Sequence, residues 1–371
     1  MGYSPGGGSD LFSQDHKYVK DYKIMVSNNS INQLKICTQC ILPETFPGIS
    51  FNESGVCNHC QREASFKTQG SEKKAEYHRR LDKLIKDVQG KTPTYDAIMA
   101  YSGGKDSSYT MKLLKERYDL RILAFTFDNH FLSPLAKDNI AKITKSFNID
   151  HINFRPSWSL TSSMFTTAAR EEIFPKSAML RASSVCTACI TLVKSLVLKT
   201  ALEMQIPLVA FGWSPGQAPI QSSIMKTNPG LIRQNQKLLK DTFIEKIDPL
   251  TQSYFIPDSY YKIYQDSFPY NIHPLAFFDY NEEKISQELR DMGWQHPTDT
   301  DTNSTNCLIN AFANQCHVDK YGFHPYVLEI ANMVRQGIMT RDEGLQKIYT
   351  EQNKDMVMYA RNRLGLVDDA T

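Results

Sequence analysis

Missing from the sequence is any uninterrupted run of the roughly 18 apolar residues that a membrane-spanning helix requires, so no membrane span is expected. Charge of one sign is lacking too. Lys and Arg total 42 against 40 for Asp and Glu, a net charge of +2, which excludes a whole-molecule electrostatic pull toward nucleic acid or membrane and leaves only local patches. Met1 to Lys20 has no basic head followed by an apolar stretch, and Gly6 stands where a myristoylation pattern needs Ser or Thr; the expected compartment is the cytoplasm. No repeat recurs at solenoid spacing. What remains is a chain of 371 residues, 41% hydrophobic, long enough for a large core and more than one domain.

Cysteine is the first residue type that stands out. Six of the eight lie in Cys-x2-Cys pairs, which in a reducing compartment point to metal ligands or reactive thiols rather than disulfides. Cys37 and Cys40, followed by Cys57 and Cys60, have the spacing of a four-thiolate zinc site, with Pro43, Pro47 and Gly55 between them suiting a knuckle too small to build its own core. Four sulfurs fill a tetrahedral sphere, so this zinc is expected to be structural. His59, inside the second pair, is a potential substitute for one sulfur.

The rest of the chain divides by pattern. Residues 1–30 are Gly-rich and polar and are expected to form a mobile tail; residues 31–92 hold the knuckle and a helix over 63–89. Residues 93–245 alternate strand-like segments (95–101, 120–127, 151–154, 207–212) with helix-like ones (107–117, 134–147, 160–174, 187–205). That alternation predicts an α/β core, a doubly wound parallel sheet with helices on both faces. Residues 246–371 open with an aromatic, loop-rich stretch and become mainly helical over 282–292, 306–315, 325–336 and 341–351, the last announced by a Thr340/Glu343 capping box. The aromatic run from Tyr254 to Tyr270 is read as sealing the core against these helices. Arg233, Lys237, Lys240 and Lys246 are read as a solvated helix face.

The first strand runs directly into Ser102-Gly103-Gly104-Lys105-Asp106-Ser107-Ser108 and then a helix, the context in which a glycine turn becomes an anion site. Gly103 and Gly104 let backbone approach phosphate, the serines offer hydroxyl donors and Lys105 a charge; Asp106 repels bare phosphate and suits a magnesium ion or the loop backbone. It is not a Walker A loop, because Met99 and Asp106 occupy positions reserved for Gly and for Ser or Thr. Ser-Gly-Gly-x-Asp-Ser resembles the PP-loop of the N-type ATP pyrophosphatases. The resemblance implies an adenine nucleotide alpha hydrolase-like fold, ATP and Mg2+ as reactants, cleavage between the α and β phosphates, and an adenylated substrate. It also places Asp128, at the end of the second strand, near adenine and ribose, and Gly212, at the end of a later strand, against the nucleotide. Trp213 and Ser214 depart from the polar trio that many relatives carry there, so Ser214 and Gln217 are left without an assigned role.

Cys186 and Cys189 open the helix that follows the third strand, where a helix N-terminus is expected to lower thiol pKa values. With Cys307, or less readily Cys316, they resemble the PP-loop thiolases that hold a [4Fe-4S] cluster by three cysteines and leave one iron open. A second zinc site and unliganded buried thiols are the alternatives. Lys105, Asp106, Cys186 and Cys189 form the candidate catalytic set. His130, His273, His296, His317 and His324 are scattered, and none is assigned a catalytic role.

The knuckle, with Phe51 to Cys60 as its second half, and a tail containing Lys320-Tyr321-Gly322-Phe323 and Thr340-Arg341-Asp342-Glu343-Gly344-Leu345, look like the N-acetyl sugar amidotransferase branch of that superfamily. The resemblance implies adenylation of an amide oxygen on a small-molecule acceptor such as a nucleotide sugar, then displacement of AMP by ammonia from a separate glutaminase. The alternative is an iron-sulfur-dependent sulfur transferase that thiolates tRNA or a small metabolite and needs a sulfur donor. A non-catalytic nucleotide-binding partner subunit is the reading from another class.

Overall fold

The computed structural model describes residues 34–64, 70–301 and 304–366; the tail expected over residues 1–30 lies outside them. Helices α1 (Asn58–Ala64) and α2 (Gly70–Val88) stand where one helix over 63–89 is expected. The chain then alternates through β1 (Ala97–Ala100), α3 (Lys105–Tyr118), β2 (Ile122–Phe127), α4 (Pro134–Ser146), β3 (Asp150–Phe154), α5 (Trp158–Arg170), α6 (Lys176–Met179), α7 (Ser184–Glu203) and β4 (Leu208–Phe211). Next come β5 (Ile224–Lys226), α8 (Pro229–Lys246), α9 (Tyr260–Ile263) and β6 (Tyr270–Ile272). The chain closes on α10 (Glu282–Asp291), α11 (Asn310–Tyr321), α12 (Val327–Arg335), α13 (Arg341–Tyr349) and α14 (Lys354–Leu364).

The six strands form one sheet in the order β3-β2-β1-β4-β6-β5, parallel except for the β5–β6 pair. Two strands depart from expectation. β5 and β6 are three residues each, too short to show alternation, and β6 lies in the aromatic stretch expected to be loop. The sheet therefore continues past residue 245, since β6 pairs with β4.

Period-two alternation along the strands builds two cores. Ile98, Leu123, Phe125, Phe127, Val209 and Phe211 face one side and pack with Phe165, Leu192 and Val197 of α5 and α7 and with Phe312 of α11. Ala97, Met99, Ile122, Ala124, Leu208 and Ala210 face the other, against Leu81, Leu114, Ile140 and Leu289 of α2, α3, α4 and α10. Helices thus cover both faces.

Helix α7 is long and apolar enough by length and composition to cross a bilayer, which departs from the expectation that no segment is. Lys194 and Lys199 interrupt its apolar sequence without lowering the average enough. In this fold it is a core helix, with Val185, Ala188, Leu192, Val197 and Ala201 buried against the sheet side. The aromatic run seals a different junction from the one expected: Phe268, with Tyr260, Tyr261 and Tyr264, packs on Leu198 and Leu202 of α7 and Ile232 of α8. The basic face of α8 is solvated, with Arg233 paired to Asp258 and Lys246 to Glu171, while Phe243 is fully buried.

Candidate active site and metal centre

Strand order reverses at β1, because β2 and β3 extend to one side of it and β4 to the other. That makes the C-terminal ends of β1 and β4 a topological switch point. A cavity of about 390 Å³ opens there. The glycine loop between β1 and α3 forms one wall. Gly103 has φ +74°, and a Cβ on it would meet Ala136 O at 2.5 Å, so only glycine fits. The Trp294 indole N–H donates to Gly103 O at 3.0 Å, and Thr305 Oγ1 accepts from Lys105 N at 3.2 Å, tying the loop to two distant segments. Ser102 and Ser107 hydroxyls lie 3.1 Å apart on the cavity side, whereas Ser108 turns inward to the Tyr101 hydroxyl.

Gly212 supports this loop rather than standing free beside it. A Cβ there would lie 2.3 Å from Ser107 Cα, so the β4 exit and the loop backbone are in direct contact. Asp128, expected near adenine, is almost fully buried. Its carboxylate accepts from His130 N and faces Lys137 and Arg155, and its neighbour Asn129 lines the cavity instead.

Charges crowd the loop. Lys105 Nζ sits 2.8 Å from Glu282 Oε1 and 3.7 Å from Asp106 Oδ1, and the Tyr280 hydroxyl donates to Asp106 at 2.8 Å. Burial opposes the Lys105 charge, but the carboxylates of Asp106 and Glu282 outweigh it and hold its pKa above the usual lysine value. Lys347 of α13 approaches Glu282 Oε1 at 3.6 Å. Across the cavity, Glu329 of α12 accepts from the Ser214 hydroxyl at 2.6 Å. Desolvation, with Asp106 nearby, pushes its pKa up to about 7 despite that hydrogen bond. Ser214 N donates to Gln217 Oε1, and Asn332 Nδ2 donates to Gly216 O, so the β4 exit loop is locked onto α12.

Cys186, Cys189 and Cys307 all line this cavity. Cys307 is not in a helix beginning at Asn306, as expected. It forms an antiparallel bridge with Leu132, with Leu308 N donating to Phe131 O, and α11 starts three residues later. That bridge brings Cys307 to Asn129, whose amide donates to Cys189 Sγ at 3.6 Å and Cys307 Sγ at 3.7 Å. The expected lowering of thiol pKa at the start of α7 is reversed. Desolvation pushes Cys186 up to about 11 and also raises Cys189 and Cys307. Cys316 does not line the cavity, and neither does any of His130, His273, His296, His317 and His324.

The knuckle sulfurs of Cys37, Cys40, Cys57 and Cys60 all lie within 4.8 Å of one another, with Cys37–Cys60 at 3.8 Å and Cys40–Cys57 at 3.7 Å. A tetrahedral zinc with bonds of about 2.3 Å has sulfur–sulfur edges of about 3.8 Å, so the spacing fits one ion. A cluster would spread its cysteines over separate irons, further apart. Hydrogen bonds among the crowded thiols pull Cys57 down and push Cys40 and Cys60 up. Arg335 stands beside Cys40 and Cys60 and pairs with Glu63 at 2.8 Å; Arg341 donates to Cys37 O and Cys40 O, and Tyr349 to Ile41 O. His59 packs edge-on against Phe46, outside the set of four sulfurs.

Sequence reasoning missed Asn129, Tyr280, Glu282, Thr305, Glu329 and Lys347. They reach the cavity from loops and helices up to 240 residues from the glycine loop, and none belongs to a motif. Ser214 and Gln217, whose roles the sequence left open, both hydrogen-bond to Glu329.

No protein-family model matches the sequence. An uncharacterized protein of Methanocaldococcus jannaschii is 24% identical over 331 residues, covering 89% of this chain and 99% of that one. Among solved structures, the U34-tRNA thiolase NcsA from Methanococcus maripaludis with its [4Fe-4S] cluster is similar over 80% of this chain and 81% of its own, at 14% identity and TM-score 0.32. NMN synthetase from Francisella tularensis is similar over 80% of this chain and 98% of its own, at 11% identity and TM-score 0.35.

Three outcomes are expected. Purified protein carries about one zinc per chain, and Cys57→Ser loses both metal and several kcal/mol of stability; elemental analysis and thermal melts test this, and an unaltered melt refutes it. Gly212→Ala forces a Cβ into the loop backbone and costs about 3 kcal/mol, read as a lowered denaturation midpoint. The third concerns Glu329, whose unfolded carboxyl ionises near the ordinary 4.5 and whose folded one ionises at about 7. The folded state therefore holds an extra proton between these values, and stability falls as pH rises through that window. Glu329→Gln removes the slope, so its Tm relative to the parent rises from about pH 4 to about pH 8. A constant difference contradicts the desolvated carboxyl.

Proposed function

We propose that the chain uses Mg-ATP to adenylate an acceptor oxygen, releasing pyrophosphate, and then replaces AMP with a nucleophile that reaches the acceptor at the cysteine pole of the same cavity. The observation that carries this reading is one cavity lined by the Ser102–Ser107 loop on one side and by Cys186, Cys189 and Cys307 on the other. In the first step the acceptor oxygen attacks the α-phosphorus, and the bond to pyrophosphate breaks with its electron pair on the leaving group. The loop N–H groups, the Ser102 and Ser107 hydroxyls and Lys105 would hold that growing charge. Lys105 exchanges its Glu282 contact for phosphate, and Asp106 would meet the magnesium ion. In the second step the nucleophile attacks carbon, and the carbon–oxygen bond to AMP breaks.

The three thiols favour sulfur as the incoming atom. They are desolvated, they share the cavity with the loop, and the Asn129 amide already donates to two of the sulfurs, as hydrogen bonds to cluster ligands do. Cys186, Cys189 and Cys307 would hold an iron–sulfur cluster, which when bound supplies an open iron for sulfide. The second reading is amidotransfer to a small-molecule acceptor such as a nucleotide sugar, with ammonia from a separate glutaminase. It is favoured by the knuckle and tail, which pack together as one unit of this fold.

Anaerobically purified protein is expected to bind about four iron per chain beyond the zinc, lost in Cys186→Ala; zinc alone, unchanged by that substitution, would restore amidotransfer to the lead. Exchange of labelled pyrophosphate into ATP, driven by candidate acceptors, is expected to fall about tenfold to a hundredfold in Ser102→Ala, the value of a hydrogen bond to a charged group. Full exchange in that variant would remove the loop from the reaction.

A further inference from the structure

The cavity has a third pole that neither the nucleotide loop nor the thiols account for. On α7 the residues lining the cavity are Val185, Cys186, Cys189, Ile190, Val193 and Lys194, one stripe at helical spacing. With a rise of about 1.5 Å per residue, Lys194 lies about 7 Å beyond Cys189 along the helix axis and about 12 Å beyond Cys186. Its ammonium stands 4.6 Å from the centroid of the Trp213 ring. That ring is stacked against the buried His273, at 4.2 Å and an interplanar angle of 5°. The indole is thus held as a fixed platform under the cation.

The other lysines of the cavity are neutralised. Lys105 pairs with Glu282 and Asp106, and Lys347 pairs with Glu282. Lys194 is an exposed residue with no carboxylate beside it among the described residues, and the protein packed around it lowers its pKa. His273 adds no second charge, because burial keeps its imidazole neutral, with Nδ1 unpartnered. A lone cation on an aromatic platform in a cavity wall is poised for an anion. Between it and the thiols lies Ile190, an exposed apolar side chain suited to the uncharged body of a ligand.

We propose that Lys194 is the anchor for a phosphate group of the acceptor, in a subsite separate from the glycine loop, which places the acceptor's reacting carbon toward the thiols. This inference rests on the reading that the glycine loop holds ATP.

The test keeps the two readings apart. Zinc-loaded protein is first saturated with Mg and α,β-methylene-ATP, which fills the loop, and is then titrated with UMP or with uridine by calorimetry. UMP is expected to bind and uridine to bind at least about tenfold more weakly, the difference being one charge-assisted contact. Lys194→Met is expected to weaken UMP about tenfold or more, Lys194→Arg to hold it within about threefold, and both variants to bind the ATP analogue as the parent does. Equal affinity for UMP and uridine, unchanged UMP binding in Lys194→Met, or loss of the ATP analogue in that variant overturns the proposal. If Ser102→Ala leaves analogue binding intact, the reading of the loop fails instead, and the UMP comparison between parent and Lys194→Met still decides the role of Lys194.

Discussion

The contact on which the site depends is the approach of the β4 exit to the backbone of the glycine loop. Gly212 lies so close to Ser107 that no side chain fits between them. β1 holds the loop from below and α3 continues it, while Gly212 closes the side facing β4. Because the two strands are adjacent and parallel, their ends open at the same level, and the loops they release share one cavity. A change in the β1–β4 register would separate Ser102 and Ser107 from Ser214, Gln217 and Glu329.

The knuckle connects to this cavity through rigid parts rather than through its metal site directly. Cys37 O and Cys40 O accept from Arg341 at the start of α13, and Ile41 O accepts from Tyr349 at its end. Both ends of α13 are therefore held by the knuckle, and between them Lys347 reaches Glu282, which pairs with Lys105. The knuckle also lays Ile41, Leu42 and Phe46 against Phe323, Val327 and Ile330, making with α12 a small core that neither segment builds alone. A continuous chain of contacts thus joins the knuckle to the charges around the loop.

Electrostatics in the cavity are arranged in opposition. Asp106, Glu282 and Glu329 crowd acidic groups near the glycine loop, which keeps Lys105 charged and makes Glu329 hard to ionise. The carboxylates of Asp106 and Glu282 hold the Lys105 ammonium in place. The thiol pole is the opposite case, a desolvated corner that keeps three thiols protonated.

Local chemistry was legible in the amino-acid sequence alone. The Ser102–Ser108 loop, the four knuckle cysteines, the β1 to β4 alternation and the Thr340/Glu343 capping box each depend on residues a few positions apart, where spacing is itself geometry. What the sequence left open is what joins distant segments. Cys307 beside Asn129, Glu329 on Ser214, Lys194 on Trp213 and Gly212 against Ser107 all arise from packing between elements, and two three-residue strands were invisible because they carry no periodicity. Even the direction of the thiol pKa shift belonged to the tertiary structure. A helix N-terminus favours a thiolate, but the desolvation that outweighs it exists only once α7, α11 and the segment after β2 have closed around the sulfurs.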